Sequence, residues 1–194
     1  SGLHSSTLLE PLKNRGAAIA SAHPVHSFAN PEQSLTSYRG TACTIEGDPL
    51  ATQRLSELFS NIGNSVIPLS AAGKAVYHAA TVVASNYLVA LQQISQDMLV
   101  QAGMGAIDAQ RILRPLMDQS LLNIHDNGSV NALTGPVSRG DIQTLTKHID
   151  AIAREIPQYL PAYKELGKVA VRIARDQQQL GKSRLSEMTA LFSS

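Results

Sequence analysis

The sequence predicts an α/β region followed by an all-helical region, and three observations support this division. Short apolar runs alternate with helix-like stretches up to about residue 70. Beyond that point the strand-like pattern disappears, and apolar residues recur every three or four positions. The stretch 75–96 contains no Asp, Glu, Lys or Arg, which is typical of a buried central helix. We therefore predict two domains, residues 1–70 and 71–194.

The first domain is predicted to combine short strands with helices. Strands separated by helices indicate βαβ units and a mostly parallel sheet. Three strands are fewer than parallel sheets usually contain, so we expect the back part of a larger α/β domain. The predicted strands are 17–22, 40–47 and 64–70, the predicted helices are 6–16 and 48–63, and 23–34 is predicted as a loop.

The second domain is predicted to be entirely helical. Its first helix spans about 71–102, and its second spans about 106–123 with a kink near Pro115, because proline removes a hydrogen bond of the helix. In the loop 132–141, ALTGPVSRGD, Gly135 and Pro136 favour a turn and Asp141 favours a helix N-cap. The other predicted helices are 142–156, 160–173 and 185–192.

The composition excludes several classes of function. The chain has 16 basic and 15 acidic residues and only 4% aromatic residues, so it lacks the basic patch and stacking surface of most nucleic-acid-binding proteins. Cys43 is the single cysteine, which excludes an internal disulfide and agrees with a reducing cytoplasm. The chain does not start with a signal-peptide pattern, and polar side chains within 75–96 argue against a membrane span. We expect a cytoplasmic protein with no nucleic-acid or membrane partner.

Four polar residues fall on one narrow face of the predicted helix 71–102. They are Lys74, His78, Thr81 and Ser85, at about 100° per residue. One interpretation is structural: Lys74 reaches solvent from the first turn, and the hydroxyls bond to carbonyls four residues earlier. The other interpretation is a polar strip facing a cleft, with Lys74 as proton donor or carbonyl polariser and His78 orienting a substrate.

Two other places in the chain carry candidate ligand-binding residues. His23 and Ser27 follow a predicted strand, which places them at the carboxyl edge of the sheet, where open α/β folds bind ligands. A metal pair of His23 and His26 is not favoured, since no third ligand has a suitable spacing. Arg139 at a helix start is unfavourable in the helix dipole, so a carboxylate or phosphate would compensate its charge, with Thr134 beside it.

Four motifs, in this order, resemble one known family: HPVHSF, GKAVYHAATVVASNYLVAL, RPLMDQSLLN and NALTGPVSRGD. They are similar to an uncharacterised bacterial family that joins a Rossmann-like NADP-binding domain to a helical domain of unknown function. Its plan is similar to that of pyrroline-carboxylate reductase, ketopantoate reductase and phosphogluconate dehydrogenase. The resemblance implies a partial Rossmann-like parallel sheet, then a phosphogluconate-dehydrogenase-like helical domain that forms a homodimer, with a substrate cleft between the domains.

The resemblance also implies roles for individual residues. Related hydroxyacid dehydrogenases carry a catalytic lysine at a helix start and an asparagine four residues later. Lys74 matches that lysine, whereas His78 stands in place of the asparagine. The His-Pro pair is similar to a strand-end loop of prephenate dehydrogenases, which supports His23. We expect Lys74 and His78 to be catalytic, and a substrate-binding cleft near Lys74 formed by His23, Ser27, Ser85, Asn123, Thr134 and Arg139.

The expected function is that of an NADP- or NAD-dependent reductase or dehydrogenase acting on a small carbonyl or imine compound. No G-x-G-x-x-G motif occurs, so we expect an incomplete cofactor site and a chain that is a fragment. One alternative is a catalytically inactive dimeric protein of the same fold that binds a nucleotide or metabolite, which the His78 replacement favours. Another is a helical module used only for dimerisation.

Overall fold

The computed structural model describes residues 1–193. The chain divides into two compact units, residues 1–90 and 91–194, and the division falls inside a long helix. The strands are β1 (Ala20–Pro24), β2 (Ala42–Gly47) and β3 (Ser65–Pro68). The helices are α1 (Glu10–Lys13), α2 (Pro31–Ser37), α3 (Pro49–Asn61), α4 (Lys74–Gln101), α5 (Ala106–Ala132), α6 (Gly135–Ser138), α7 (Ile142–Glu155), α8 (Leu160–Asp176) and α9 (Lys182–Ser193). Short 3₁₀ helices occupy Ser6–Leu9, Ala71–Gly73 and Pro157–Tyr159.

The first unit is built on a mixed three-stranded sheet in the order β1-β2-β3. β2 and β3 run parallel, as predicted, with α3 between them in sequence. β1 runs antiparallel to β2, so the prediction of a mostly parallel sheet is wrong for this pair. Before a second parallel strand can begin, the chain must return along the length of the strand that it has just left. The 13 residues of α3 span about 20 Å and make this return, whereas the 7 residues of α2 span only about 10 Å.

The reversed direction of β1 changes the surroundings of its last residues. His23 pairs with Thr44, and Pro24 pairs with Cys43, close to the start of β2. His23 and Ser27 therefore lie where β2 begins, and their predicted place at the carboxyl edge of a parallel sheet is wrong.

A short helix, α2, occupies part of the stretch 23–34 that was predicted as a loop. Asn30 precedes this helix in an extended conformation, and its side-chain oxygen accepts hydrogen bonds from the backbone N–H groups of Glu32 (2.9 Å) and Gln33 (3.3 Å). Pro31 lies in the first turn, where its missing N–H costs nothing. An N-cap residue followed by proline is the signal in the sequence that the loop prediction overlooked.

Two long helices follow the sheet. α4 confirms the predicted helix 71–102, with the 3₁₀ helix Ala71–Gly73 in front of it. α5 continues past the predicted end at Asn123. Its backbone leaves the helical conformation at Gly128 (φ 72°, ψ 161°), a break that was not predicted. Pro115 lies inside the helix, and the bend expected near it stays a prediction. Among residues 1–193, no helix combines the length and the apolar character needed to cross a membrane.

Helices α7, α8 and α9 form the hydrophobic core of the second unit. The buried side chains at its centre are Leu145, Val171, Met188 and Phe192. Gly167 lies inside α8 against the ring of Phe192, and a Cβ at this position would overlap the ring. A glycine inside a helix is unfavourable in isolation, so close packing explains its presence here.

The loop 132–141 contains the single helical turn α6. Gly135 and Gly140 both have positive φ, 84° and 64°, which other residues rarely adopt. Pro136 lies in the first turn of α6, and Asp141 accepts a hydrogen bond from the backbone N–H of Thr144 at 3.1 Å. The predicted turn at Gly135 and Pro136 and the predicted N-cap at Asp141 are confirmed.

Candidate functional site

A pocket in the first unit brings together residues from the end of β1, the loop after it, and α4. We call it the histidine pocket, and its volume is about 320 Å³. It contains four of the predicted site residues, although β1 and α4 are far apart in the sequence: His23, Ser27, His78 and Ser85. The described residues that line it are His23, Val25, His26, Ser27, His78, Thr81, Val82, Ala84, Ser85 and Asn86.

Two imidazoles lie side by side at this pocket. The ring centroids of His23 and His78 are 6.3 Å apart. Nδ1 of His23 is 2.7 Å from the hydroxyl oxygen of Tyr77, and these two rings pack edge to face with centroids 5.7 Å apart. The hydrogen bond to Tyr77 fixes the orientation of the His23 ring. Tyr77 was not among the predicted site residues, and its place beside His78 on the same helix is the signal that could have found it.

The protonation of His23 follows from its surroundings. Partial burial disfavours the charged ring and lowers the pKa of His23 below its ordinary value of 6.5. Electrostatic interactions with His78 and Lys74 lower this pKa further. At neutral pH the His23 ring is therefore neutral, with one nitrogen as donor and the other as acceptor.

Gly2 packs against the two imidazoles. It is buried, and a Cβ at this position would overlap Cδ2 of His78 and lie 3.0 Å from Cε1 of His23. A larger residue would have to displace at least one ring. The sequence offers no signal for this contact, because nothing local to Gly2 indicates which side chains it meets.

Lys74 lies in a buried polar cluster and not in the histidine pocket. Its Nζ donates to the hydroxyl of Ser21 at 2.8 Å and lies 3.8 Å from Oε1 of Glu46. Only 2% of the Lys74 side chain and 4% of the Glu46 side chain are exposed. Glu46 also accepts hydrogen bonds from the backbone N–H and the hydroxyl of Ser6, both at 2.7 Å. The interpretation that Lys74 reaches solvent is wrong, and its catalytic role stays a prediction.

The polar strip on α4 is therefore divided between two environments. His78, Thr81 and Ser85 line the histidine pocket, whereas Lys74 belongs to the buried cluster. The Thr81 hydroxyl donates to the carbonyl of His78 at 2.8 Å, and the Ser85 hydroxyl donates to the carbonyl of Thr81 at 2.7 Å. The predicted bonding of these hydroxyls to the helix backbone is confirmed, with Thr81 reaching three residues back. Their oxygens can still accept hydrogen bonds from a ligand.

The other three predicted site residues belong to the second unit. Asn123 lies on α5, where its side-chain oxygen accepts a hydrogen bond from Nε2 of Gln119 at 2.9 Å. Thr134 is the exposed residue before α6, and Arg139 is the exposed residue after it. Their substrate-binding roles and their predicted place near Lys74 stay predictions.

The start of α3 does not fit the pyrophosphate of a dinucleotide. The helix after β2 begins with Asp48 and Pro49, and proline offers no N–H to a phosphate. The hydrogen bond from Lys13, at 2.6 Å, holds the pKa of Asp48 below its ordinary value, so a negative charge occupies this helix start. The described residues also contain no group of three or more His, Cys, Asp or Glu side chains that could hold a metal ion.

Comparisons with known proteins support the fold. The family model described as "Domain of unknown function (DUF2520)" matches residues 41–170. The crystal structure of protein TM1727 from Thermotoga maritima is 26% identical, with a TM-score of 0.78, over 92% of this chain and 68% of that chain. The structure titled "putative NADP oxidoreductase BF3122 from Bacteroides fragilis" is 18% identical, with a TM-score of 0.67, over 93% of this chain and 63% of that chain. None of the curated proteins compared with the chain matches it.

Proposed function

The chain belongs to the family of the domain of unknown function DUF2520, and we propose that it forms the substrate-binding part of an NADP-dependent oxidoreductase. The proposed substrate is a small carbonyl or imine compound. The observation that carries the proposal is the histidine pocket, in which His23, Ser27, His78 and Ser85 line one cavity. The likeness in fold to a protein that is named as an NADP oxidoreductase supports the class of reaction.

The size and lining of the histidine pocket suit a small polar molecule. Its volume of about 320 Å³ is at the lower end of the range found for small-molecule sites. None of its described lining residues is Asp, Glu, Lys or Arg. The lining combines apolar walls from Val25 and Val82 with imidazoles, hydroxyls and one amide, which orient a substrate by hydrogen bonds.

The imidazole pair is the part of the site suited to proton transfer. Reduction of a carbonyl or imine requires a proton at its oxygen or nitrogen, and imidazole is an effective general acid near neutral pH. Because Tyr77 already holds His23 in place, we assign the proton to His78 and the orientation of the substrate to His23, Ser27 and Ser85. Lys74 is buried against Ser21, so in this proposal it positions the start of α4 instead of donating the proton.

In this proposal, nucleotide binding requires polypeptide beyond these 194 residues. NADPH or NADH would supply the hydride. The chain covers 68% and 63% of the lengths of the two structural relatives. The enzymatic activity of a protein as long as those relatives is therefore a proposal. In the second unit, Asn123, Thr134 and Arg139 are proposed to bind an anion.

Nucleotide binding tests this proposal. Thermal unfolding is measured, with and without NADPH or NADH, for a polypeptide extended to the length of the structural relatives. We expect a rise in melting temperature that grows with nucleotide concentration, because a ligand that binds only the folded state stabilises it. Residues 1–194 alone should show no rise. An extended polypeptide that responds to neither nucleotide would contradict the proposal.

A second candidate is a dimeric metabolite-binding protein without catalytic activity. It is favoured by the buried Lys74 ammonium, which is held by Ser21 and Glu46 and does not line the pocket. Homodimer formation is supported by apolar side chains that are each more than half exposed on α4 and α5: Val76, Val83, Val89, Ile107 and Leu116. Ligand binding without any turnover, equal in the parent protein and in His78→Ala, would favour this candidate. A monomer in sedimentation would exclude the dimer.

A further inference from the structure

The side chain of Gln177 holds the loop 132–141 from one side. Gln177 follows the last turn of α8, and its amide nitrogen donates to the backbone carbonyls of Val130 at 2.7 Å and Leu133 at 2.9 Å. Its amide oxygen accepts a hydrogen bond from the hydroxyl of Ser138 at 2.9 Å. One side chain thus joins α8 both to the end of α5 and to α6.

The chemistry of this contact explains why a glutamine is suited to it. Val130 and Leu133 lie at the carboxyl end of α5, where backbone carbonyls have no partner inside the helix. The bond to the Leu133 carbonyl is partly buried, and leaving a buried acceptor unbonded costs free energy. A glutamine side chain offers two N–H donors and one acceptor on a single flexible stem, so it satisfies both carbonyls and the Ser138 hydroxyl together.

The other end of the loop is also fixed. Gly135 and Gly140 have positive φ, and a Cβ on Gly140 would lie 2.6 Å from Cγ of Arg184, so Gly140 packs directly against that side chain. Asp141 caps α7 through the backbone N–H of Thr144. The loop 132–141 is therefore held at its start by Gln177 and at its end by the Asp141 cap.

Two exposed side chains project from this constrained loop. Thr134 directly precedes α6 and Arg139 directly follows it. We propose that Gln177 is a positioning residue that fixes the loop presenting Thr134 and Arg139 to an anion. The role of the anion rests on the proposed function, whereas the positioning rests on the three hydrogen bonds. A cation on a fixed backbone loses less conformational freedom when it binds, which raises its affinity for an anion.

Three variants of the chain separate the contributions of the Gln177 hydrogen bonds to holding the loop. Gln177→Met keeps the length of the side chain and removes all three hydrogen bonds. Ser138→Ala removes only the bond to the amide oxygen. Gln179→Met is the matched control, because Gln179 lies two residues further along and is exposed.

Amide hydrogen exchange reports on the loop directly. The backbone N–H groups of Arg139, Gly140 and Asp141 donate to carbonyls inside the loop, so their exchange rates measure how firmly it is held. We expect exchange about tenfold faster in Gln177→Met, a smaller increase in Ser138→Ala and no change in Gln179→Met. Unchanged exchange in Gln177→Met would overturn the role of Gln177.

Inorganic phosphate serves as the anion probe, detected by the NMR signal of the Arg139 Nε–H group. We expect Gln177→Met to weaken phosphate binding at Arg139 roughly tenfold, while Gln179→Met binds phosphate as the parent protein does. Equal phosphate affinity in Gln177→Met and the parent protein would overturn the positioning role. A parent protein whose Arg139 signal ignores phosphate would contradict the anion part of the proposed function, and amide exchange would still decide the role of Gln177.

Discussion

At the scale of single residues, one buried ion pair connects several parts of the first unit. Lys74, the first residue of α4, contacts Ser21 of β1 and Glu46 of β2, and Glu46 in turn accepts two hydrogen bonds from Ser6. Both charged side chains are almost fully buried. A buried charge is tolerated only with its partner, so loss of either side chain leaves the other without compensation.

Replacing Lys74 with Met is expected to lower the free energy of unfolding by about 3–5 kcal/mol, since the Glu46 carboxylate then stays buried and unpaired. The double variant Lys74→Met with Glu46→Gln should regain much of this loss, because no buried charge remains and the bonds to Ser6 can still form. Urea unfolding measures both effects.

Lys13→Met is the matched control for this prediction. It removes an ion pair with Asp48 in which 46% of the Lys13 side chain is exposed, and it should cost much less stability than Lys74→Met because solvent screens the pair. Equal losses from Lys74→Met and Lys13→Met would contradict the stabilising role of the buried pair.

His23 is expected to make the stability of the first unit depend on pH. Its pKa is lowered in the folded chain, so the unfolded chain binds the proton more readily. This contribution to stability is complete above the unfolded value of 6.5 and is lost as the pH falls through the lower folded value. Urea unfolding at about pH 7.5 and about pH 5 should show a smaller loss in His23→Asn than in the parent protein. An identical loss in both proteins would contradict the prediction.

At the scale of secondary-structure elements, glycines determine where the long helices end or bend. α4 is followed by Gly103 with φ 95°, and α5 is broken at Gly128 with φ 72° and ψ 161°. The conformation of Gly128 is available almost only to glycine. Pro115, by contrast, is accommodated within α5, so proline alone did not predict the position of the break.

Gly128→Ala is expected to lower the free energy of unfolding by roughly 1–3 kcal/mol, because alanine is strained in this backbone conformation. No atom lies within 4 Å of a Cβ built on Gly128, so the cost comes from the backbone and not from a clash. Gly181→Ala is the matched control: a Cβ there also meets nothing within 4 Å, and its φ is not positive. Urea unfolding measures both variants. If Gly128→Ala lowers the free energy of unfolding no more than Gly181→Ala does, backbone strain at residue 128 is contradicted.

At the scale of the whole molecule, the spacing of apolar residues predicted whether a segment is a helix or a strand better than it predicted the direction in which a strand runs. Apolar spacing and helix-start signals predicted α3, α4 and α7, because these patterns are local. The antiparallel pairing of β1 with β2 depends on how the chain crosses the sheet, and no local pattern encodes that. The short length of α2, seven residues, argues against a connection between two parallel strands once this helix is recognised.

The candidate site shows the same limit. His23, Ser27, His78 and Ser85 were predicted from the end of a strand and from one face of a helix, and they line one pocket. Tyr77 and the contact of Gly2 with both imidazoles depend on which distant residues meet. The burial of Lys74 depends on Glu46, a charged residue in a strand whose other central residues are apolar or small. These long-range contacts are set by tertiary packing, which a single sequence does not display.

The measurement that tests the histidine pocket most directly is steady-state oxidation of NADPH by the extended polypeptide, with small ketones, keto acids and cyclic imines as substrates. We expect turnover of at least one of them, and a kcat lowered about 100-fold or more in His78→Ala with unchanged NADPH affinity, because a general acid contributes about 10²–10⁴ in rate. Val100→Ala, an exposed position on α4 that does not line the pocket, is the matched control. Equal kcat in His78→Ala and the parent protein would contradict proton transfer from this pocket.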